Sequence, residues 1–218
     1  WPGYDQLTAQ LAANGAPDLV TMHSSAIPDY DARGLLEPLD ESLASVGIQP
    51  GQFTSAARAG VTVDGRTMGL PIEVWAPLWH VNMNLFRKAG LVRDDKPILP
   101  TSPEEFLSQA TQFRQRTGKP YFIQVTNKDF AGPMRIFYVW MLQQGAALFR
   151  DARHSNFDSA AGRRALEFMT DLYQQGASAR NLDYAGAVSA FLKGEGAILV
   201  DGTWMVGQFD AAAQDPGS

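Results

Sequence analysis

Gly69-Leu70-Pro71-Ile72-Glu73-Val74-Trp75-Ala76-Pro77-Leu78-Trp79-His80-Val81-Asn82-Met83-Asn84-Leu85-Phe86-Arg87-Lys88-Ala89-Gly90-Leu91 holds three changes of backbone character within one short run. It reads as an extended crossing, then a buried strand, then a short helix stopped by glycine. Just upstream, Asp64-Gly65-Arg66 separates Val61-Thr62-Val63 from Thr67-Met68-Gly69-Leu70. Asp-Gly between two β-like runs signals a hairpin. Further back, Tyr4, Leu7 and Leu11 form one helical stripe with Gly15 as its stop. Ala16-Pro17-Asp18 then turns into Leu19-Val20-Thr21-Met22, a short apolar strand.

Downstream, Ser102-Pro103-Glu104-Glu105 is the clearest helix start. Ser102 caps, Pro103 suits the first helical position, and Glu105 completes a capping box. Phe106, Ala110 and Phe113 continue the inner face to Gly118, and Tyr121-Phe122-Ile123-Gln124-Val125 reads as a strand. Pro133 to Gln144 is a strongly apolar helix. Another helix, capped by Asp158, carries Leu166, Met169 and Tyr173 in register and closes at Gly176. Tyr184 to Lys193 is a further short helix, Ala197-Ile198-Leu199-Val200 a buried strand, and Asp201-Gly202-Thr203-Trp204 the turn into a last helix. Helices alternating with short apolar strands define an α/β protein with a mostly parallel sheet.

Composition narrows the function. The chain has 218 residues, 45% of them hydrophobic, and a net charge of -5. With no clustered Lys or Arg, a nucleic-acid partner is not expected. There are no cysteines, which removes disulfides, thiolate metal sites and a cysteine nucleophile. No apolar run is long enough to span a membrane. The histidines, His23, His80 and His154, are scattered without ligand spacing, so no metal and no cofactor is expected. Gly118-Lys119-Pro120 lacks the phosphate-loop pattern, and Gly194-x-Gly196 precedes a strand, the wrong context for a dinucleotide. No Gly-x-Ser-x-Gly elbow surrounds Ser24 or Ser25.

Four motifs in order give the chain a resemblance. They are Ala16-Pro17-Asp18-Leu19-Val20 with Gly34-Leu35-Leu36-Glu37-Pro38-Leu39-Asp40; Asp64 to Pro71; Asn82 to Leu91 with Pro100-Thr101-Ser102-Pro103-Glu104-Glu105-Phe106; and Ala190 to Trp204. Together they resemble extracytoplasmic solute-binding proteins of ABC transporters, of the sugar-binding, maltose-binding-protein-like type. That resemblance implies a periplasmic-binding-protein-like two-lobe fold, incomplete here because family members begin earlier and continue further. Residues 1–74 would be a partial first lobe, 75–78 the hinge crossing, 79–210 most of the second lobe, and 211–218 a tail. Missing sheet neighbours would expose strand edges, so a polypeptide of this length on its own is expected to associate or to show a loose first lobe.

The resemblance implies capture without catalysis: the substrate-binding component of an importer, holding a carbohydrate in an inter-lobe cleft. It would act in the periplasm or at the cell surface of a bacterium. Its partners would be the sugar and the transporter's membrane subunits, with a membrane tether through a lipid anchor ahead of Trp1 as a variant. Trp204, at a strand-to-helix turn, would stack on a sugar's apolar face, or else cover the sheet end as a core residue. Trp75 has the same two readings and takes a cleft position that is acidic in the maltose-binding type. His23, Ser24 and Ser25, with Met22, follow the first strand and correspond to a cleft loop whose polar groups suit sugar hydroxyls. Arg135 stands where the family places a stacking aromatic, and would fork onto paired hydroxyls or an acidic group. Glu73, Asn127 and Asp129 are further polar candidates, and Asp201 is read chiefly as a helix cap. His80 reads as a satisfied core histidine and His154 as exposed.

Two rivals stay open on sequence. One is a glycoside-processing enzyme with Glu73 and Asp201 as its carboxylate pair. The other is the same fold serving a polyol, phosphodiester or peptide, where Arg135 would outweigh Trp204.

Overall fold

The computed structural model describes residues 2–128, 131–151 and 153–214. It divides into two compact units, Trp1–Val74 and Trp75–Ser218.

The first unit holds helices α1 (Pro2–Ala12), α2 (Ile27–Ala32), α3 (Asp40–Ser45) and α4 (Ser55–Val61), followed by strands β1 (Thr62–Val63) and β2 (Arg66–Thr67). Leu7 is the buried residue of the Tyr4, Leu7, Leu11 stripe. The helix ends one residue earlier than expected: Asn14, at φ 52°, takes the left-handed position. The Gly15 N–H then bonds back to the Gln10 carbonyl at 2.9 Å, a helix-ending geometry that asparagine tolerates. β1 and β2 form the expected hairpin, with Asp64 and Gly65 both at positive φ as its two-residue turn demands. Ile27, Val61 and Met68 make a small core, with Met22, Leu36 and Val63 against it. The Asp40 carboxylate accepts the Thr67 N–H, and hydrogen bonding from Thr67, its side chain first and then its backbone, holds the Asp40 pKa below the usual value.

Leu19-Val20 is not the buried strand its composition suggests. Leu19 is 84% exposed, and neither residue lies in a strand. A strand needs a ladder partner for its backbone groups, and the described residues supply none there.

The second unit holds β3 (Pro77–Val81), α5 (Met83–Ala89), β4 (Val92–Arg93), β5 (Lys96–Pro97), α6 (Pro103–Thr117), β6 (Phe122–Ile123), α7 (Ala131–Gln143), α8 (Ala160–Gln174), α9 (Tyr184–Leu192), β7 (Ile198–Gly202) and α10 (Val206–Gln214). Its main sheet runs β3-β7-β6. β6 pairs parallel with β7, but β3 pairs antiparallel, from Pro77↔Gly202 to Val81↔Ile198. The sheet is therefore mixed rather than mostly parallel. β3 leads into the unit and lies at the sheet edge, so it needs no crossover helix to set its direction. Its leading end is exposed, with Leu78 at 42%, and only its later residues are half-buried.

β7 is the sheet's centre and is buried on both faces. Phe122 and Ile198, cross-strand neighbours, face one core, which α5, α6 and α8 cover through Phe86, Phe106, Phe113, Phe168 and Leu172. Ile123 and Leu199, the next pair along, face a second core closed by Ala187 and Val188 of α9 and by Met205. The strand period of two thus distributes adjacent residues between two layers. Phe106 is the hub of the first layer. Its ring meets Trp79, Tyr121, Phe122 and Phe168 at centroid distances of 5.7, 5.1, 5.3 and 5.5 Å, each close to perpendicular, the edge-to-face arrangement that aromatic quadrupoles favour.

At α6, Ser102 Oγ accepts the Glu105 N–H at 3.2 Å, as expected. The Glu105 carboxylate, however, accepts from the backbone and hydroxyl of Thr101, both at 2.8 Å, one residue before the cap. At α8 the cap is Ser159, whose Oγ accepts the Gly162 N–H, and not Asp158. Asp158 is instead ion-paired with Arg150, whose hydrogen bond lowers its pKa. The register of α8 shifts accordingly: Ala161, Ala165, Phe168 and Leu172 face inward, and Leu166 is 60% exposed. At α5 the helix stops at Gly90, φ 68°, as expected, and Asn82 caps its start through its side chain, which accepts the Leu85 N–H. No helix among the described residues is long and apolar enough to cross a membrane.

Candidate functional site

The carboxyl end of β7 is where chemistry-bearing side chains of the second unit meet. β7 ends at Gly202 and passes through a tight turn, Thr203–Met205, into α10. The antiparallel register opposes Pro77 to Gly202, and the Thr203 N–H bonds to the Ala76 carbonyl at 3.2 Å. Trp75 is thereby delivered to the same turn as Trp204. The two indoles stand edge to face, with centroids 4.8 Å apart and planes at 87°. Arg135, in the first turns of α7, sets its guanidinium carbon 5.4 Å from the Trp75 ring centre, within cation–π range.

Trp204 is held from two further sides. Its Nε1–H donates to the Tyr184 hydroxyl at 3.0 Å. Its six-membered ring also folds back over Gly202, so that a Cβ built there would lie 1.9 Å from Cζ3. Only glycine leaves room for the ring in that position. Trp204 nonetheless remains 47% exposed, which is unusual for so large an apolar side chain held in place.

Tyr184, the first residue of α9, lies 3.5 Å from Asp201 Oδ1 and 3.4 Å from Met205 Sδ. Burial raises its pKa, the Trp204 hydrogen bond opposes this, and the Asp201 charge reinforces it; the hydroxyl is neutral at physiological pH. Asp201 is buried, and its Oδ1 accepts the N–H of Gly202 at 2.7 Å. It does not cap the following helix, whose cap position is Gly202 with no side-chain bond. The turn leaves the strand one residue later than a capping Asp201 requires, and the carboxylate points toward α9 instead.

Of the residues singled out in the sequence, Trp75, Trp204 and Arg135 are therefore neighbours in the second unit. His23, Ser24, Ser25 and Glu73 belong to the first unit. There His23 is half-buried and tied to Tyr4, whose hydroxyl contacts Nδ1 at 2.8 Å and accepts the His23 N–H at 2.7 Å. Ser24 and Ser25 open an exposed turn, Ser24–Ala26, that runs into α2, and Glu73 is exposed. Asn127 is held by its backbone to Leu182, and Asp129 lies outside the described residues. His80 bonds to the Gly202 carbonyl at 3.2 Å and packs on Phe209, while the exposed His154 contacts Asp151. Among the described residues no group of His, Asp and Glu is arranged to hold a metal ion.

Tyr184 escaped the sequence reading. Its only local signal is a tyrosine just after the capping Asp183, whose side chain accepts the Gly186 N–H. Nothing near it in the chain announces a partner twenty residues on.

The chain has the α/β fold of the periplasmic-binding-protein-like solved structures it resembles, and covers about half of each. The chain belongs to the family described as bacterial extracellular solute-binding protein, whose model matches residues 1–218. It is 26% identical over 133 residues to a binding protein of Brucella abortus, covering 61% of this chain and 31% of that one. In three dimensions it is similar to the GacH receptor of Streptomyces glaucescens, studied unliganded and with acarbose, at a TM-score of 0.79 and 22% identity. That match covers 98% of this chain and 53% of the receptor. It is also similar to the substrate-binding protein Lmo0181 of Listeria monocytogenes in complex with cycloalternan, at a TM-score of 0.79 and 21% identity, covering 96% and 53%. The chain thus spans about half the length of these solved structures and less than a third of the curated relative.

Proposed function

We propose that this chain is part of the substrate-binding component of an ABC importer and takes a carbohydrate as its ligand. In this reading residues 1–74 are a partial first lobe, 75–78 the hinge crossing, and 79–210 most of a second lobe; bending at the hinge closes the lobes over the sugar. The protein acts outside the cytoplasmic membrane, in the periplasm or at the cell surface, and passes its cargo to the membrane subunits of the transporter. It performs no catalysis.

The observation that carries this reading is the half-exposed indole pair Trp75–Trp204 at the carboxyl end of β7. Pyranose rings present apolar C–H faces that stack on indoles, with hydroxyls left for polar groups around them. Arg135 and Tyr184 supply such groups beside the pair, and His23, Ser24, Ser25 and Glu73 are the contributions we assign to the other lobe. The ligands of the GacH receptor and of Lmo0181, acarbose and cycloalternan, belong to the same chemical class.

The test is thermal denaturation of the full-length protein against a panel of mono- and oligosaccharides. A ligand at a hundredfold excess over its dissociation constant stabilises by about 2.7 kcal/mol. Trp204→Ala is expected to abolish the shift while leaving the ligand-free melting temperature within a few degrees. A panel in which no sugar moves the transition would defeat the proposal.

A further inference from the structure

Arg135 differs from the other cations of this chain. Lys119, comparably half-buried, is bonded to the Gly194 carbonyl at 2.6 Å, and Arg150 is paired with Asp158. Cations with no such acceptor, among them Arg58, Lys88 and Lys193, are exposed to water. Arg135 is half-buried, and among the described residues no carboxylate and no carbonyl receives its N–H groups.

Its placement compounds this. A partly desolvated charge without a partner is unfavourable. The face of Trp75 offsets part of the cost, but a ring quadrupole occupies none of the five guanidinium donors. The acidic group of the cluster, Asp201, is turned the other way, onto the Gly202 N–H and toward Tyr184. The guanidinium fork matches an oxyanion bidentately in a way that it does not match a lone hydroxyl.

We propose that Arg135 is an anion-recognition residue, and that the ligand of this site is a sugar bearing a carboxylate or phosphate group. The sugar ring lies against the Trp204 face, and its oxyanion takes the Arg135 fork above Trp75. Trp204 has already committed its one donor to Tyr184, so it offers the ligand a surface and no hydrogen bond. The proposal rests on the capture reading above.

The experiment is calorimetric titration of the full-length protein with matched pairs, glucose against glucose 1-phosphate and galactose against galacturonate, at about 0.02 M and about 0.2 M salt. In at least one pair the charged member is expected to bind about tenfold more tightly or better, and to lose more affinity than its neutral partner at the higher salt. The pair that responds tells phosphate from carboxylate. Arg135→Gln is expected to erase the preference, bringing the charged member's affinity down to that of its neutral partner, with an unchanged melting temperature as the check on folding. Arg135→Lys, which keeps the charge without the fork, retains part of the preference. Equal binding within both pairs, or a preference that survives Arg135→Gln, overturns the anion assignment and leaves sugar capture standing. If no member of either pair binds, the anion assignment falls; a neutral sugar that binds in the wider thermal panel then still upholds capture.

Discussion

At the scale of single residues, Gly202 carries the arrangement of the site without a functional group of its own. Trp204 occupies the space in which any other residue would place its Cβ. Gly202→Ala must therefore evict the indole or bend the end of β7, and overpacking of this kind costs about 1–3 kcal/mol. The expected result is a lower urea midpoint, together with a change in tryptophan emission as Trp204 loses its Tyr184 hydrogen bond and its Trp75 edge contact. Unchanged emission and an unchanged midpoint would mean that the ring does not rest there. The indole pair was legible in the chain as two tryptophans beside turns. Tyr184 was not, because a hydrogen bond between residues far apart in sequence leaves no mark on either neighbourhood.

At the scale of elements, helices announced themselves through their ends and misled through their faces. Ser102, Asn82, Gly90 and Gly118 stand where local hydrogen bonding places caps and stops, since those bonds join residues three to five apart. The inner face of α8 is different. Leu166, Met169 and Tyr173 make a plausible stripe, yet small Ala161 and Ala165 face inward with Phe168 and Leu172. Close packing against α7 and the Phe106 cluster selects small residues there, and that demand comes from the neighbours. Phe106 itself, 1% exposed and touched by five rings edge-on, is where α6 contributes most to the core. Phe106→Ala is expected to destabilise by about 3–5 kcal/mol in denaturant titration. A loss below about 1 kcal/mol would contradict so central a role.

At the scale of the whole molecule, the two units differ in how much they bury. The first has a small core around Ile27, Val61 and Met68, beside exposed Leu19, Ile72 and Val74. The second encloses β7 between two layers. Protection against amide exchange follows burial and hydrogen bonding within cooperative units. Amides of β7, such as Ile198 and Leu199, are therefore expected to exchange only on global opening of their unit. Those of the β1–β2 hairpin should exchange orders of magnitude faster. Equal protection in both would show that the units unfold as one.

The α/β class, the Asp64-Gly65 hairpin, most helix ends, the buried strand at Ile198 and the two tryptophans beside turns are all written in local sequence. Each of these depends on period, on turn chemistry or on bonds between near neighbours. Tertiary packing settled that β3 runs antiparallel to β7, that Leu19-Val20 finds no strand partner among the described residues, which face of α8 is inward, and that Tyr184 reaches Trp204. Those outcomes depend on which distant segment supplies a ladder partner or a packing surface, and such pairings follow from the free energy of the assembled chain rather than from any short window of it.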